Sequence, residues 1–147
     1  MVSCARASPS ACGAQRAHVS PVVVPLCAVD SIRRLLARAI KRRYPRAVVS
    51  MAANGADAVS FMRNASATQL RVHAICMDKE MPVMDGYEAT RAIRAAGYTG
   101  FMIGVTGNAV ALDQAEFMRQ GLNALLTKPV DMPALYALLA TAASAPL

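Results

Sequence analysis

At 147 residues, 55% hydrophobic and 17% charged, the chain has one domain's length and too apolar a composition for wholesale disorder. Its longest apolar run, Val22 to Val29, is broken by Pro25 and is far too short for a membrane span. The formal charge of +7 raises the prior for an anionic partner: nucleic acid, a membrane surface or an acidic protein.

That charge is uneven. Every residue from 33 to 46 with a charge is basic (Arg33, Arg34, Arg38, Lys41, Arg42, Arg43 and Arg46), and no acid precedes Asp30. Arginine dominates; the lysines are Lys41, Lys79 and Lys128, so each lysine is a candidate for specific chemistry. Cys4, Cys12, Cys27 and Cys76 lack zinc-ribbon or Cys-x-x-Cys spacing. Cys27 and Cys76 lie in apolar segments and read as reduced core residues, which fits a cytoplasmic location.

Residues 1–20 are rich in Ala, Ser and Arg without apolar periodicity. They read as a disordered or transit-like tail, with the folded domain at 21–147. Pro25 to Val29 is expected to form a first strand, because proline suits only a strand's start. Ile32, Leu35, Leu36, Ala39 and Ile40 then recur at helical spacing, and Tyr44-Pro45 ends that helix. Ala47 to Met51 reads as a second strand. Asn54-Gly55 is a turn and N-cap for a short helix over Ala56 to Arg63. Val72 to Met77 is a third strand, closed by Asp78.

Met81-Pro82 to Asp85-Gly86 reads as a loop, with Asp85-Gly86 a turn and cap. Tyr87 to Ala96 is a helix with Gly97 behind it. Phe101 to Val105 is a fourth strand ending at Thr106. Ala109 to Gln120 is a helix closed by Gly121. Ala124 to Thr127 is a fifth strand ending at Lys128-Pro129. Asp131 is placed to cap a last helix with Pro133 in its first turn and Leu135, Leu138 and Leu139 on one face. The methionines Met77, Met81 and Met84 read as packing. His18 and His73 have no metal-ligand spacing and no helical phosphodonor context.

Five strands alternating with five helices predict an α/β fold, a parallel sheet covered on both faces. Ligands bind such sheets at the edge where the strands end. Asp30, Asp78, Thr106 and Lys128 each follow an apolar run and gather there. Two carboxylates suit a hard cation such as Mg2+. A central carboxylate can attack phosphorus, a lysine can neutralise phosphoryl oxygens and a threonine can donate to one.

The segment Asp78-Lys79-Glu80-Met81-Pro82-Val83-Met84-Asp85-Gly86 resembles the phosphoacceptor segment of response-regulator receiver domains, in the flavour of hybrid histidine kinases. Gly104-Val105-Thr106-Gly107-Asn108-Ala109 and Lys128-Pro129 resemble that family's later landmarks, and the resemblance runs over about residues 22 to 143. It implies a flavodoxin-like, doubly wound sheet of order 2-1-3-4-5 and a cis Lys128-Pro129 bond. It also implies that Asp78 accepts a phosphoryl group from a phosphohistidine, with Mg2+ held by Asp30, Asp78 and the Glu80 backbone carbonyl. Thr106 and Lys128 then contact the phosphoryl group, and the partner is a histidine kinase or histidine-phosphotransfer protein rather than nucleic acid. The implied role is signalling, not enzymatic turnover beyond self-dephosphorylation.

Two positions depart from the pattern. Val29 stands where the family's first acid usually lies, and Leu125 where an aromatic often lies. Val29 keeps open a phosphorylation-independent pseudo-receiver that binds partners. A more distant alternative is an Asp-nucleophile phosphatase of the haloacid-dehalogenase type, since Asp78 and Glu80 mimic its carboxylate spacing. That family places its nucleophile on the first strand, whereas here a β-α-β-α unit comes first.

Overall fold

In the computed structural model, residues 22–26, 30–107 and 109–145 are described, with 22–26 and 30–31 described by their backbone course. Strands and helices alternate through them: β1 (Val22–Leu26), α1 (Asp30–Arg43), β2 (Val48–Val49), α2 (Gly55–Ala67), β3 (Ala74–Asp78), α3 (Gly86–Ala95), β4 (Phe101–Thr106), α4 (Ala111–Arg119), β5 (Ala124–Thr127) and α5 (Met132–Ser144). The five strands form one parallel sheet in the order β2-β1-β3-β4-β5. β3 is central, and all five of its residues are buried, as a strand covered on both faces requires.

The period of two then sorts the core. Ala74 and Cys76 pack with Leu36, Ile40, Leu135 and Leu139, so α1 and α5 cover that face. Ile75 and Met77 pack with Ala58, Met62, Ile93 and Phe117, so α2, α3 and α4 cover the other. Met77 is fully buried, and Met81 and Met84 pack against the same cluster, which bears out their reading as core.

Several elements differ from expectation, each for a physical reason. β1 starts at Val22, and Pro25 is its fourth residue rather than its first. Among the described residues β2 pairs with Val22 and Val23, so Pro25 lies past the end of that ladder, where a missing N–H is tolerated. The rest of the expected first strand, with Cys27 and Val29, lies outside the described residues. The second strand shrinks from five expected residues to two, Val48 and Val49, at the edge of the sheet, where it has a partner on one side alone.

α2 runs past Arg63 to Ala67, since Ala65 is buried and Thr68 Oγ1 donates to the Asn64 carbonyl at 2.8 Å to close the last turn. Asn54 caps its start as expected, accepting from Asp57 N at 2.9 Å. β3 begins two residues later than expected and includes Asp78 itself. Leu35, expected on the inner stripe of α1, is 62% exposed, while Leu36 and Ile40 carry the burial. Asp131 precedes α5 without a side-chain cap bond. Gly121 does follow the C-cap of α4 with φ +112°, a conformation costly for any residue with a Cβ.

One long-range clamp had no sequence signal. Arg94 in α3 donates to the carbonyls of Gly121, Tyr98 and Gly100 and to Asn123 Oδ1, at 2.7–2.9 Å. It ties the end of α3 to the entries of β4 and β5.

His73, just before β3, is buried. Burial first, and the Arg71 charge second, hold its imidazole below the ordinary value of 6.5. The folded chain therefore binds fewer protons there than the unfolded chain. This contribution to stability is complete above about pH 6.5 and is lost as pH falls through the lowered value. Urea melts of wild type and His73→Gln at about pH 7.5 and about pH 5 check this: the variant is expected to lose less stability on acidification.

Candidate functional site

Asp78 closes β3, so alternation places its side chain on the α1/α5 face with Ala74 and Cys76. It is fully buried. A buried carboxylate needs a counter-charge and hydrogen bonds, and Asp78 has both. Lys128 Nζ donates to Oδ2 at 2.6 Å and the Glu80 backbone N–H donates to Oδ1 at 3.0 Å. A carboxylate offers about four lone-pair sites, so two remain for further ligands.

The neighbours arrive through the sheet. Asp78 is the register partner of Val105, and Thr106 follows it at the end of β4, 2% exposed. Lys128 N donates to the Thr106 carbonyl at 2.8 Å, which fixes the chain leaving β5. The Lys128-Pro129 bond is cis. Thus Asp78, Thr106 and Lys128, fifty residues apart in sequence between Asp78 and Lys128, meet at one sheet edge. Asp30 opens α1, the helix after β1, and β1 is the strand beside β3. Its side chain and Val29 are outside what the structure describes.

The β3–α3 loop is tightly determined. Lys79 N donates to the Val105 carbonyl and Gly86 N donates to the Lys79 carbonyl, both at 2.9 Å. Asp85 caps α3 by accepting from Glu88 N at 2.8 Å, as its place in the sequence implied. Met84 N donates to the Pro82 carbonyl at 2.8 Å across Val83, whose φ is +71°. This γ-turn is strained for a β-branched residue, at a cost of about 1–3 kcal/mol. Val83 is also 84% exposed, so no burial offsets that strain.

Sequence reasoning did not connect Lys79 to Asp113 in α4. Lys79 Nζ donates to Asp113 Oδ2 at 2.7 Å and lies 5.4 Å from the Tyr87 ring centroid. The Asp113 bond holds the Lys79 ammonium above its ordinary range. The scarcity of lysine was the one available signal. Leu125 packs among the α2–α4 cluster as an aliphatic side chain. A separate cavity of about 340 Å³, lined by Met62, Val72, Ile93 and Tyr98 between α2 and α3, shares no residue with this edge.

Chemically, the edge presents an oxygen nucleophile with a fixed cation against it and a hydroxyl-bearing residue alongside. Among the described residues no three His, Cys, Asp or Glu side chains gather to hold a metal.

The family pattern described as response regulator receiver domain matches residues 29–140. The two-component response regulator ORR41 of Oryza sativa subsp. japonica is 38% identical over 112 residues, covering 76% of this chain and 86% of that protein. Two-component system protein A of Emericella nidulans is 42% identical over 77 residues, 52% of this chain, but this chain spans only 11% of that protein. Among solved structures, the receiver domain of a sensor histidine kinase from Pseudomonas aeruginosa PAO1 superposes with a TM-score of 0.68 at 30% identity. The match covers 86% of this chain and 100% of that one, which has a magnesium ion coordinated in its active site cleft.

Proposed function

From the premise that the chain belongs to the response regulator receiver domain family of two-component phosphorelays, we propose that Asp78 is its phosphoacceptor. The observation that supports this is the fully buried Asp78 carboxylate held at 2.6 Å by Lys128 at the centre of the strand-end edge. An Asp78 oxygen attacks the phosphorus of a phosphohistidine. The P–N bond breaks, its electron pair returns to the imidazole, and a P–O bond forms. The imidazole takes a proton as it leaves.

Such a transfer needs positioning and charge neutralisation more than covalent machinery. Lys128 opposes the phosphoryl charge, and Thr106 donates its hydroxyl to a phosphoryl oxygen. Asp78, Asp30 and the Glu80 carbonyl make an all-oxygen donor set, and Asp78 keeps unengaged lone pairs, so these residues fit Mg2+. When bound, Mg2+ supplies positive charge against the phosphoryl oxygens. The reading is one of signalling, with hydrolysis of the aspartyl phosphate as its only turnover.

The phosphodonor is a histidine kinase or histidine-phosphotransfer protein. Exposed Arg34, Arg38, Lys41, Arg42 and Arg43 on α1 support an acidic docking face, and no acid lies between Asp30 and Asp57 to offset them. Among the described residues no helix is long and apolar enough to cross a membrane. The buried Cys76 thiol agrees with a reducing, cytoplasmic setting.

Incubation with phosphoramidate, followed by intact mass, tests the reading. Wild type is expected to gain one phosphoryl group and Asp78→Asn none. A gain that persists in Asp78→Asn places the acceptor elsewhere, and no gain in wild type, with phosphoramidate or a phosphohistidine protein, overturns the reading.

A further inference from the structure

We infer that the cavity between the ends of α2 and α3 is a binding site for a small amphipathic anion, a short apolar body carrying one carboxylate. This site does not depend on the assignment of Asp78.

The two helices that frame it end in the same way. After α2, Gln69 takes a φ of +55°; its N–H donates to the Ser66 carbonyl at 3.2 Å, and Leu70 N donates to the Ala65 carbonyl at 2.8 Å. After α3, Gly97 takes a φ of +92°; its N–H donates to the Arg94 carbonyl at 2.9 Å, and Tyr98 N donates to the Ile93 carbonyl at 3.3 Å. Each is the pair of bonds that closes a helix through one left-handed residue, and the residue after it commonly folds back as an apolar contact on the last turn. Here those residues are Leu70 and Tyr98, and both line one cavity of about 340 Å³.

The rest of the wall is apolar. Met62, Ala65, Val72 and Ile93 line it and are all buried. The Tyr98 hydroxyl donates to the Val72 carbonyl at 3.2 Å, which engages that side chain's one polar atom. Burial pushes its phenol above the ordinary range, so it stays a neutral donor. Apolar atoms beside a void lack contacts on one side, and an apolar occupant supplies them. Leu70, 44% exposed, leaves surface for such an occupant to cover. The volume lies at the low end for ligand pockets, about 300–1,000 Å³, which suits a small molecule rather than a partner's helix.

Charge selects the head group. Arg63 and Arg71 are among the lining residues, both exposed, and no carboxylate is. Among the described residues neither arginine is in a salt bridge. The acids of α2 and α3 at their helix ends, Asp57 and Glu88, lie in the first turns, away from the cavity. Two helix C-termini bring partial negative charge to the same place, but the capping N–H groups already engage their carbonyls, and the guanidiniums carry full charges. Guanidinium matches a carboxylate in shape and charge. The tail therefore enters between the helices while the carboxylate stays with the arginines.

Octanoate titrated into the full chain at about pH 7, where a carboxylate is ionised, tests this by methyl and amide NMR. Saturable binding with a Kd below about 1 mM is expected, with intermolecular NOEs from the octanoate tail to the Met62 and Ile93 methyls. Octylammonium, with the same tail and the opposite charge, is expected to bind at least about tenfold more weakly. Arg63→Gln/Arg71→Gln is expected to weaken octanoate about tenfold and 1-octanol less than about twofold, and retained octanol binding shows that the variant is folded. Absence of saturable octanoate binding, or NOEs confined to residues outside the cavity, overturns the site. Octylammonium binding as tightly as octanoate, or octanoate binding unchanged in the arginine variant, overturns the anion assignment.

Discussion

Lys128→Met is expected to remove about 3 kcal/mol of folding stability, whereas Asp78→Asn removes phosphoryl uptake with a stability change under about 1 kcal/mol. The asymmetry follows from burial. Asp78 is 0% exposed and the Lys128 side chain is 21% exposed. Without Lys128, a charge is stranded in the interior with one remaining bond, from Glu80 N. Leaving that charge unpaired in the interior carries a high desolvation cost. Without the Asp78 charge, Lys128 turns its ammonium to solvent. The double variant Asp78→Asn/Lys128→Met is expected to recover most of the loss. Urea melts of the four proteins close a double-mutant cycle. A Lys128→Met variant as stable as wild type would show that the carboxylate is solvated by another route.

Gly86→Ala is expected to cost about 3 kcal/mol and to slow phosphoryl uptake at least about tenfold. Alanine is the better helix former by about 1 kcal/mol, so propensity alone forecasts a gain. The steric effect wins. A Cβ at Gly86 would lie 2.2 Å from the Asp78 carbonyl oxygen and 2.9 Å from the Lys79 Cα, both backbone atoms of the strand end. Neither can retreat without moving Asp78, since Lys79 is bonded to Val105 and to Gly86 itself. Thermal melting and the rate of mass gain check the two halves separately; retained stability with normal uptake would mean that the loop yields.

The strand ends were legible because β3, β4 and β5 are apolar runs that close on polar residues of distinct chemistry: Asp78, Thr106, and Thr127 followed by Lys128. Asp78, Thr106 and Lys128 could therefore be placed together before any distance was known. Leu35 was misplaced because five apolar positions over nine residues make a stripe wider than the surface α1 covers. Spacing locates a face and cannot give its width. Pro25 was misplaced because whether proline is tolerated depends on the neighbouring strand's length, and β2 proved to be two residues long. The Lys79–Asp113 pair and the Arg94 clamp join elements about thirty residues apart. Single charged residues in separate elements carry no periodicity, so nothing in the chain's pattern announces their partners.

The two margins of the sheet bear on behaviour at high concentration. A strand at a sheet's rim offers unpaired backbone groups to any neighbouring chain, and proteins blunt this with brevity, proline and positive charge. Here one rim is β2, two residues preceded by Pro45 and Arg46, and the other is β5, four residues followed by Lys128 and Pro129. Each rim is too short to template a ladder and has a proline and a cation at one end. Lys128 thus has a second physical consequence beyond its bond to Asp78: it marks where backbone pairing along that rim stops, which opposes strand-to-strand self-association into aggregates.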